Sequence, residues 1–301
     1  MGRLTAIVLG AGAGGGFPQW NCRCPICQFA WDGDPRVKPR TQAGLAVSAD
    51  GRDWVLINAS PDLRTQIQAT PALHPRGGFR GSPIKAVVLT GAEVDQVCGL
   101  LTMRERSNFT VYATAETLAV IAGNPIFDVL ASDLVLRQPA APSQVFALSN
   151  GLSAELFPVP GKVALYLEKD EPALSVESGI NVGVEITSGG ARLAYVPGAA
   201  ALNDVLLERL GRADAVLFDG TLFDNDEMIR GGTGTKTGQR MGHMPLCGEE
   251  GTLRRLVGLT GRRILTHINN TNPILVDGSP EREKVKAAGF EIAEDGMEIV
   301  L

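Results

Sequence analysis

The feature that most limits how this 301-residue chain can fold is a succession of short apolar runs rich in β-branched residues. They lie at 4–9, 44–48, 54–58, 85–90, 110–113, 152–158, 181–187, 192–196, 214–218, 263–268 and 297–301, several with turn residues at their ends. Runs of this length and composition predict strands. Between them, Ser60-Pro61-Asp62 reads as a helix start, with Ser60 as N-cap and Pro61 at the first helical position, leading into LRTQIQAT. Helical spacing of apolar and polar residues also marks 113–122, 201–211, 222–230, 250–259 and 279–288. The runs 181–187 and 192–196, joined by Ser188-Gly189-Gly190, read as a meander-like pair beside strand–helix alternation. That mixture fits an α/β architecture in which two mixed sheets pack together with helices outside. The halves share a loose strand-then-helix rhythm without a sequence repeat. No low-complexity linker divides the chain, so one domain over 1–301 is expected.

Composition narrows the function classes. Hydrophobic residues at 44% and charged residues at 20% are ordinary for a soluble globular protein. A net charge of −5 without a Lys/Arg cluster argues against nucleic acid as partner. No apolar run approaches the ~18 residues of a membrane span. The segment Leu4 to Leu9 is shorter than a signal-peptide core and runs into glycines. The expectation is a cytoplasmic protein with no membrane insertion.

The stretch LGAGAGGGFPQWNCRCPIC, Leu9 to Cys27, offers two incompatible sites. Gly10, Gly12 and Gly15 spell G-x-G-x-x-G after an apolar run. A dinucleotide site needs a helix opening in that loop to receive the pyrophosphate. Phe17-Pro18-Gln19-Trp20-Asn21 gives no helical pattern, and Asp32 and Asp34 lie in a turn rather than at a strand end. The glycines are therefore read as a loop that brings backbone close to something else. Cys22, Cys24 and Cys27 form C-x-C-x-x-C, three of the chain's five cysteines. Three thiolates so spaced can converge on one zinc ion, with a fourth ligand from a distant segment and a structural role. Cys98 and Cys247 read as buried small apolar residues.

Three histidines limit the chemistry. His74, before a proline in a polar loop, reads as a surface residue. His243 follows the glycine-rich run Gly231 to Gly238, and His267 ends a strand. Asp219 ends another strand, and Glu93 and Asp95 follow the strand KAVVLTG. If these strand ends meet, Asp95, Asp219 and His267 supply a nitrogen and oxygen donor set suited to iron or another divalent ion. The alternative is that the two aspartates are helix caps or turn residues. The run GGTGTKTG lacks the order of a phosphate loop and reads as a mobile lid, from which Lys236 can meet an anionic substrate.

The stretches GGGFPQWNCRCPIC, NASPDLR, LTGAEVDQVCGLLTMRE, FDGT, FDNDEM, GTGTKTG, MGH and THINNTNPIL together resemble the coenzyme PQQ synthesis protein B family. The resemblance spans nearly the whole chain. That family is similar to the metallo-β-lactamase superfamily, which implies a four-layer αβ/βα fold. Against the superfamily motif T-H-x-H-x-D-H, Asp95 matches, whereas Gly91, Glu93 and Gln96 stand at histidine positions, and Gly161 stands at a further one. Asp219 matches the bridging aspartate and His267 the last ligand. His243 matches a histidine that assists catalysis in related phosphodiesterases. In relatives with C-x-C-x-x-C the fourth zinc ligand is a histidine three residues after the last active-site histidine, and Asn270 holds that position here.

The resemblance implies a structural zinc on Cys22, Cys24, Cys27 and Asn270, and iron(II) at Asp95, Asp219 and His267. Asp219, His243 and His267 would be catalytic, His243 as proton donor or acceptor. The implied activity is iron- and dioxygen-dependent hydroxylation of the tyrosine ring in a Glu–Tyr-derived precursor of pyrroloquinoline quinone (PQQ). A carrier taking PQQ or its precursor to the periplasm is the alternative, and a degenerate metal-dependent hydrolase a third. The expected ligand is PQQ or a precursor, and a homodimer is the assembly left open.

Overall fold

The computed structural model describes residues 3–168 and 177–301. The first half of the chain supplies β1 (Thr5–Gly10), β2 (Gly44–Ser48), β3 (Trp54–Ile57), β4 (Ile84–Val88), β5 (Phe109–Ala113) and β6 (Val135–Pro139). The second half supplies β7 (Val145–Ala147), β8 (Ser153–Pro160), β9 (Glu177–Ser188), β10 (Ala191–Val196), β11 (Ala215–Asp219), β12 (Arg262–Thr266) and β13 (Glu291–Ile292). The last strand, β14 (Glu298–Val300), returns to the first sheet. The two seven-stranded sheets run β14-β1-β2-β3-β4-β5-β6 and β13-β12-β11-β10-β9-β8-β7. All eleven sequence-read strands are present; β6, β7 and β13 were not read.

Helices follow the parallel strands and elsewhere fill connections: α1 (Pro25–Trp31), α2 (Leu63–Ala69), α3 (Val94–Val97), α4 (Ala115–Ala122), α5 (Asp204–Leu210), α6 (Glu227–Arg230), α7 (Thr252–Arg255) and α8 (Pro280–Ala287). Capping sets several boundaries: the Ser279 hydroxyl accepts from Arg282 N at 3.1 Å with Pro280 in the first turn, and Asn203 Oδ1 accepts from Leu206 N at 2.8 Å. One expected start is corrected. Helix α2 begins at Leu63 rather than Pro61, and the Ser60 hydroxyl donates to Gln66 Oε1 at 3.2 Å instead of capping. Asp62 is drawn away by Gln42, whose backbone N and Nε2 donate to its Oδ2 at 2.9 and 3.0 Å.

Strand alternation builds the layers. In β1, Ala6 and Val8 face the space between the sheets, where they meet Val47, Ile57, Leu156, Val184 and Leu193. Ile7 and Leu9 face outward and pack with Leu63 of α2 and Ile121 of α4. In β11, Leu217 points inward, while Val216 and Phe218 lie against Leu206 and Leu210 of α5 and Val285 of α8. Burial on both faces explains why these strands read as nearly unbroken apolar runs. The order is helix, sheet, sheet, helix, which is the expected four-layer arrangement. No described helix is long and apolar enough to cross a membrane. The carboxyl ends of β4, β11 and β12 and the loops after β1 and β8 open on a cavity of about 650 Å³.

Candidate metal centres and active site

The glycine-rich loop takes none of the forms a dinucleotide site needs. No helix opens at Gly15; the next one, α1, starts ten residues later with Cys24 as its N-cap. Gly12 instead bridges to both Gln42 and Ile268, and a Cβ on Gly10 would lie 2.2 Å from Gln42 O. These glycines let three backbone segments pass close together. Ala13, Gly14 and Gly15 end up in the cavity wall, with Gly14 beside the Asp95 carboxylate.

The three cysteines converge. Their sulfurs lie within 4.8 Å of one another. Asn270, in the loop after His267, closes the fourth side: its Nδ2 is 3.2 Å from Cys22 Sγ, 3.3 Å from Cys27 Sγ and 4.0 Å from Cys24 Sγ. Around a tetrahedral zinc, sulfur at about 2.3 Å and oxygen at about 2.0 Å stand about 3.5 Å apart. A half turn of the amide places Oδ1 where Nδ2 lies. The donor set therefore fits one zinc ion. Burial pushes the Cys24 thiol up to about 12, and the nearby Cys27 and Cys22 sulfurs add to it. A divalent cation would hold all three as thiolates. Cys98 and Cys247 are half-buried rather than fully buried, and His74 is exposed as expected.

At the second centre, the structure brings together the four residues read from strand ends and the glycine-rich run. His267 Nε2 meets Asp95 Oδ2 at 2.9 Å, and His243 Nδ1 meets Asp219 Oδ2 at 2.7 Å. The two imidazoles stack with centroids 5.2 Å apart. Donor atoms of Asp219, His243 and His267 lie within 4.8 Å of one another, so His243 shares the donor set, with Asp95 joined to it through His267. Asp219 is fully buried; its Oδ2 also accepts from Ala199 N at 2.9 Å and its Oδ1 from Thr221 N at 3.0 Å. His267 has a φ of 56°, a left-handed conformation that costs a non-glycine residue about 1 kcal/mol. Its neighbour Ile268 is fixed by N–H donation to Ala11 O at 2.8 Å.

Electrostatics at this centre couple the carboxylates to the imidazoles. Burial pushes the Asp95 and Asp219 carboxyls up, but hydrogen bonds and charge from His267 and His243 outweigh it and hold both below the usual range. Burial pushes His267 down, yet the Asp95 hydrogen bond and the charges of Asp95 and Asp219 raise it overall. Two imidazoles and two carboxylates fit a borderline divalent ion such as iron(II).

The positions where histidines of the superfamily motif are missing have been refilled. A Cβ on Gly91 would lie 2.5 Å from Gln96 Oε1, and one on Gly161 would lie 2.1 Å from Asn181 Nδ2. Gln96 is engaged as a cap for α3: its Oε1 accepts from Glu93 N at 3.0 Å and its Nε2 donates to Thr90 Oγ1 at 3.3 Å. Glu93 accepts from Lys162 Nζ at 3.3 Å and from Leu165 N at 3.2 Å. Gln96 and Glu93 both line the cavity while engaged with these neighbours. Thr221, Asn181, Lys162 and Glu168 escaped the sequence reading. For Thr221 there was a signal, its place two residues beyond a strand-end aspartate; for the others there was none.

Residues 53–268 match a β-lactamase superfamily domain. A coenzyme PQQ synthesis protein B of Methylobacterium nodulans is 54% identical over 299 residues, covering 99% of this chain and 100% of that one. The crystal structure of Zn(2+)-bound PqqB from Methylobacterium extorquens superposes with a TM-score of 0.97 at 53% identity, covering 99% of this chain and 100% of that one. The metallo-β-lactamase fold protein YhfI from Bacillus subtilis superposes with a TM-score of 0.66 at 14% identity over 100% of both chains, which shows the shared fold alone. The chain belongs to the coenzyme PQQ synthesis protein B family of the metallo-β-lactamase superfamily.

Proposed function

We propose that this protein acts in PQQ biosynthesis as an iron- and dioxygen-dependent hydroxylase of the aromatic ring of a Glu–Tyr-derived precursor. The observation that carries the reading is the donor set of Asp219, His243, His267 and Asp95, of which all but the buried Asp219 line a cavity large enough for a small aromatic ligand. When bound there, iron(II) would supply dioxygen binding and one-electron chemistry. Ring hydroxylation inserts one atom of O2 into a C–H bond; the other leaves as water after taking up two electrons from a reductant and two protons. The chain's own residues would handle the rest. Thr221 would fix the orientation of His267 through Nδ1, leaving Nε2 beside Asp95 Oδ2 for the ion, and Asp219 would orient His243 through Nδ1 as proton donor or acceptor. The refilled positions at Gly91 and Gly161 argue against a two-metal hydrolase, which needs those ligands.

The test is anaerobic iron titration followed by addition of precursor and dioxygen. The expected result is oxygen-dependent product that disappears in Asp219→Ala and His267→Ala. Bound iron with no oxygen-dependent product would falsify the hydroxylase reading. Undiminished PQQ binding by the two variants, together with that result, would favour a carrier.

A further inference from the structure

Two lysines, Lys162 and Lys236, line the cavity together with Glu93 and the candidate metal donors Asp95, His243 and His267. Lys162, half-way between two elements, donates to Glu168 Oε1 at 2.7 Å and to Glu93 Oε1 at 3.3 Å, its stem lying across Gly242. Arg240 adds a 3.4 Å contact to the other Glu168 oxygen. Lys162 first, then burial in the opposite sense, and further Lys236 and Arg240 hold Glu168 below the usual carboxylate range. Lys162 and Arg240 are thus committed to Glu168 and Glu93.

Lys236 is placed differently from these two. It is half-buried, lines the cavity, and makes no hydrogen bond or salt bridge among the described residues. The charge of Glu168 acts on it without direct contact, so the ammonium is left to meet an anion in the cavity. Its position is not loose. The segment is tied by Thr233 N to Met228 O at 3.0 Å, by Gly238 N to Asn225 O at 2.8 Å and by Gln239 N to Asn225 Oδ1 at 3.0 Å. Beside it the wall is apolar, formed by Met228, Met241, Leu165 and Tyr166. A flat hydrophobic body bearing a negative group matches this combination.

We propose that Lys236, with Lys162 behind it, forms a carboxylate subsite that anchors an aromatic carboxylate substrate with its ring against the methionine wall. This rests on the reading of the cavity as the site that takes the PQQ precursor, and it adds a residue that selects the substrate by charge.

The experiment measures binding of benzene-1,3-dicarboxylate and of its neutral diamide to the zinc-loaded full chain by calorimetry. Lys236→Met is expected to weaken the dicarboxylate at least tenfold and leave the diamide unchanged, with Lys236→Arg restoring most of the loss. Lys236→Gln serves as the second neutral variant, and zinc content and melting temperature equal to wild type confirm that each variant folds. Unchanged dicarboxylate affinity in both neutral variants overturns the subsite, as does failure of the wild-type protein to bind the dicarboxylate at millimolar concentration. Both readouts are independent of oxidation. If Lys236 variants lose binding while iron-loaded wild type forms no oxygen-dependent product, the subsite stands and the hydroxylase reading fails.

Discussion

The Thr221 hydroxyl meets four atoms: Asp219 Oδ1 at 2.6 Å, His267 Nδ1 at 2.8 Å, His267 O at 2.9 Å and His243 Nδ1 at 3.1 Å. It ties the carboxylate and both imidazoles into one unit, the kind of outer contact that orients metal ligands. Thr221→Val keeps the shape and removes the hydroxyl. Iron affinity or turnover is expected to fall about 10- to 100-fold with the fold intact; wild-type iron titration and rate would remove Thr221 from this role. Gly161 makes a different demand. A methyl there must push Asn181 Nδ2 off Val159 O and Gly198 O, which it reaches at 3.3 and 3.2 Å. Gly161→Ala is expected to destabilise by about 1–3 kcal/mol in denaturant titration. The candidate donors were legible because Asp219 ends a strand, His267 directly follows one and Asp95 follows one by a short loop, where the chain's period announces an end. Asn181 and Lys162 were not, because what selects them is the shape left by two glycines, and a shape has no periodicity.

At the scale of elements, the strands that went unread are all edges. β6 and β7 close one side of each sheet, and β13 closes the other side of the second. Edge strands need no continuous apolar pattern: β6 is VLRQP with mixed exposure, and β7 exposes Val145 and Ala147. Helix α1 was hidden for another reason. Its N-cap is a cysteine, and Cys24 and Cys27 occupy its start while also facing Asn270 across the chain. The metal loop and the helix are one element, so losing the ion should loosen the contact to the loop after His267. About one zinc per chain is expected by metal analysis, lost in Cys24→Ala and retained in Asp219→Ala. The reverse pattern would exchange the roles of the two centres.

Across the whole molecule, each sheet repeats one scheme. Three antiparallel pairings, β14-β1-β2-β3 and β7-β8-β9-β10, are followed by three parallel ones, β3-β4-β5-β6 and β10-β11-β12-β13. The shared rhythm of the halves in sequence follows this repeated scheme, which no repeat of side chains accompanies. Site residues come from the carboxyl ends of equivalent parallel strands, β4 and β11, and from β12 beside the latter. The loops that follow must therefore hold the two halves in register over the cavity. Within the second half, Glu227 links α6 to the loop after His267: its Oε2 accepts from Phe223 N at 2.9 Å and its Oε1 from the Thr271 hydroxyl at 2.6 Å. Burial pushes its carboxyl up to about 7, only partly offset by these hydrogen bonds. A folded carboxyl raised above its unfolded value holds a proton that the unfolded chain has released. Its contribution is thus complete below pH 4.5 or so and declines as pH rises towards 7. The size is at most about 3 kcal/mol, at 1.36 kcal/mol per unit. Asp95 and Asp219 act in the opposite sense, their contribution being lost only as pH falls below the ordinary carboxylate range. Denaturant midpoints measured from pH 4.5 to 7.5 should therefore show Glu227→Gln losing its disadvantage, or gaining, relative to wild type as pH rises. Parallel curves for the two proteins across that window would mean that Glu227 is ionised throughout and its burial is offset by other groups.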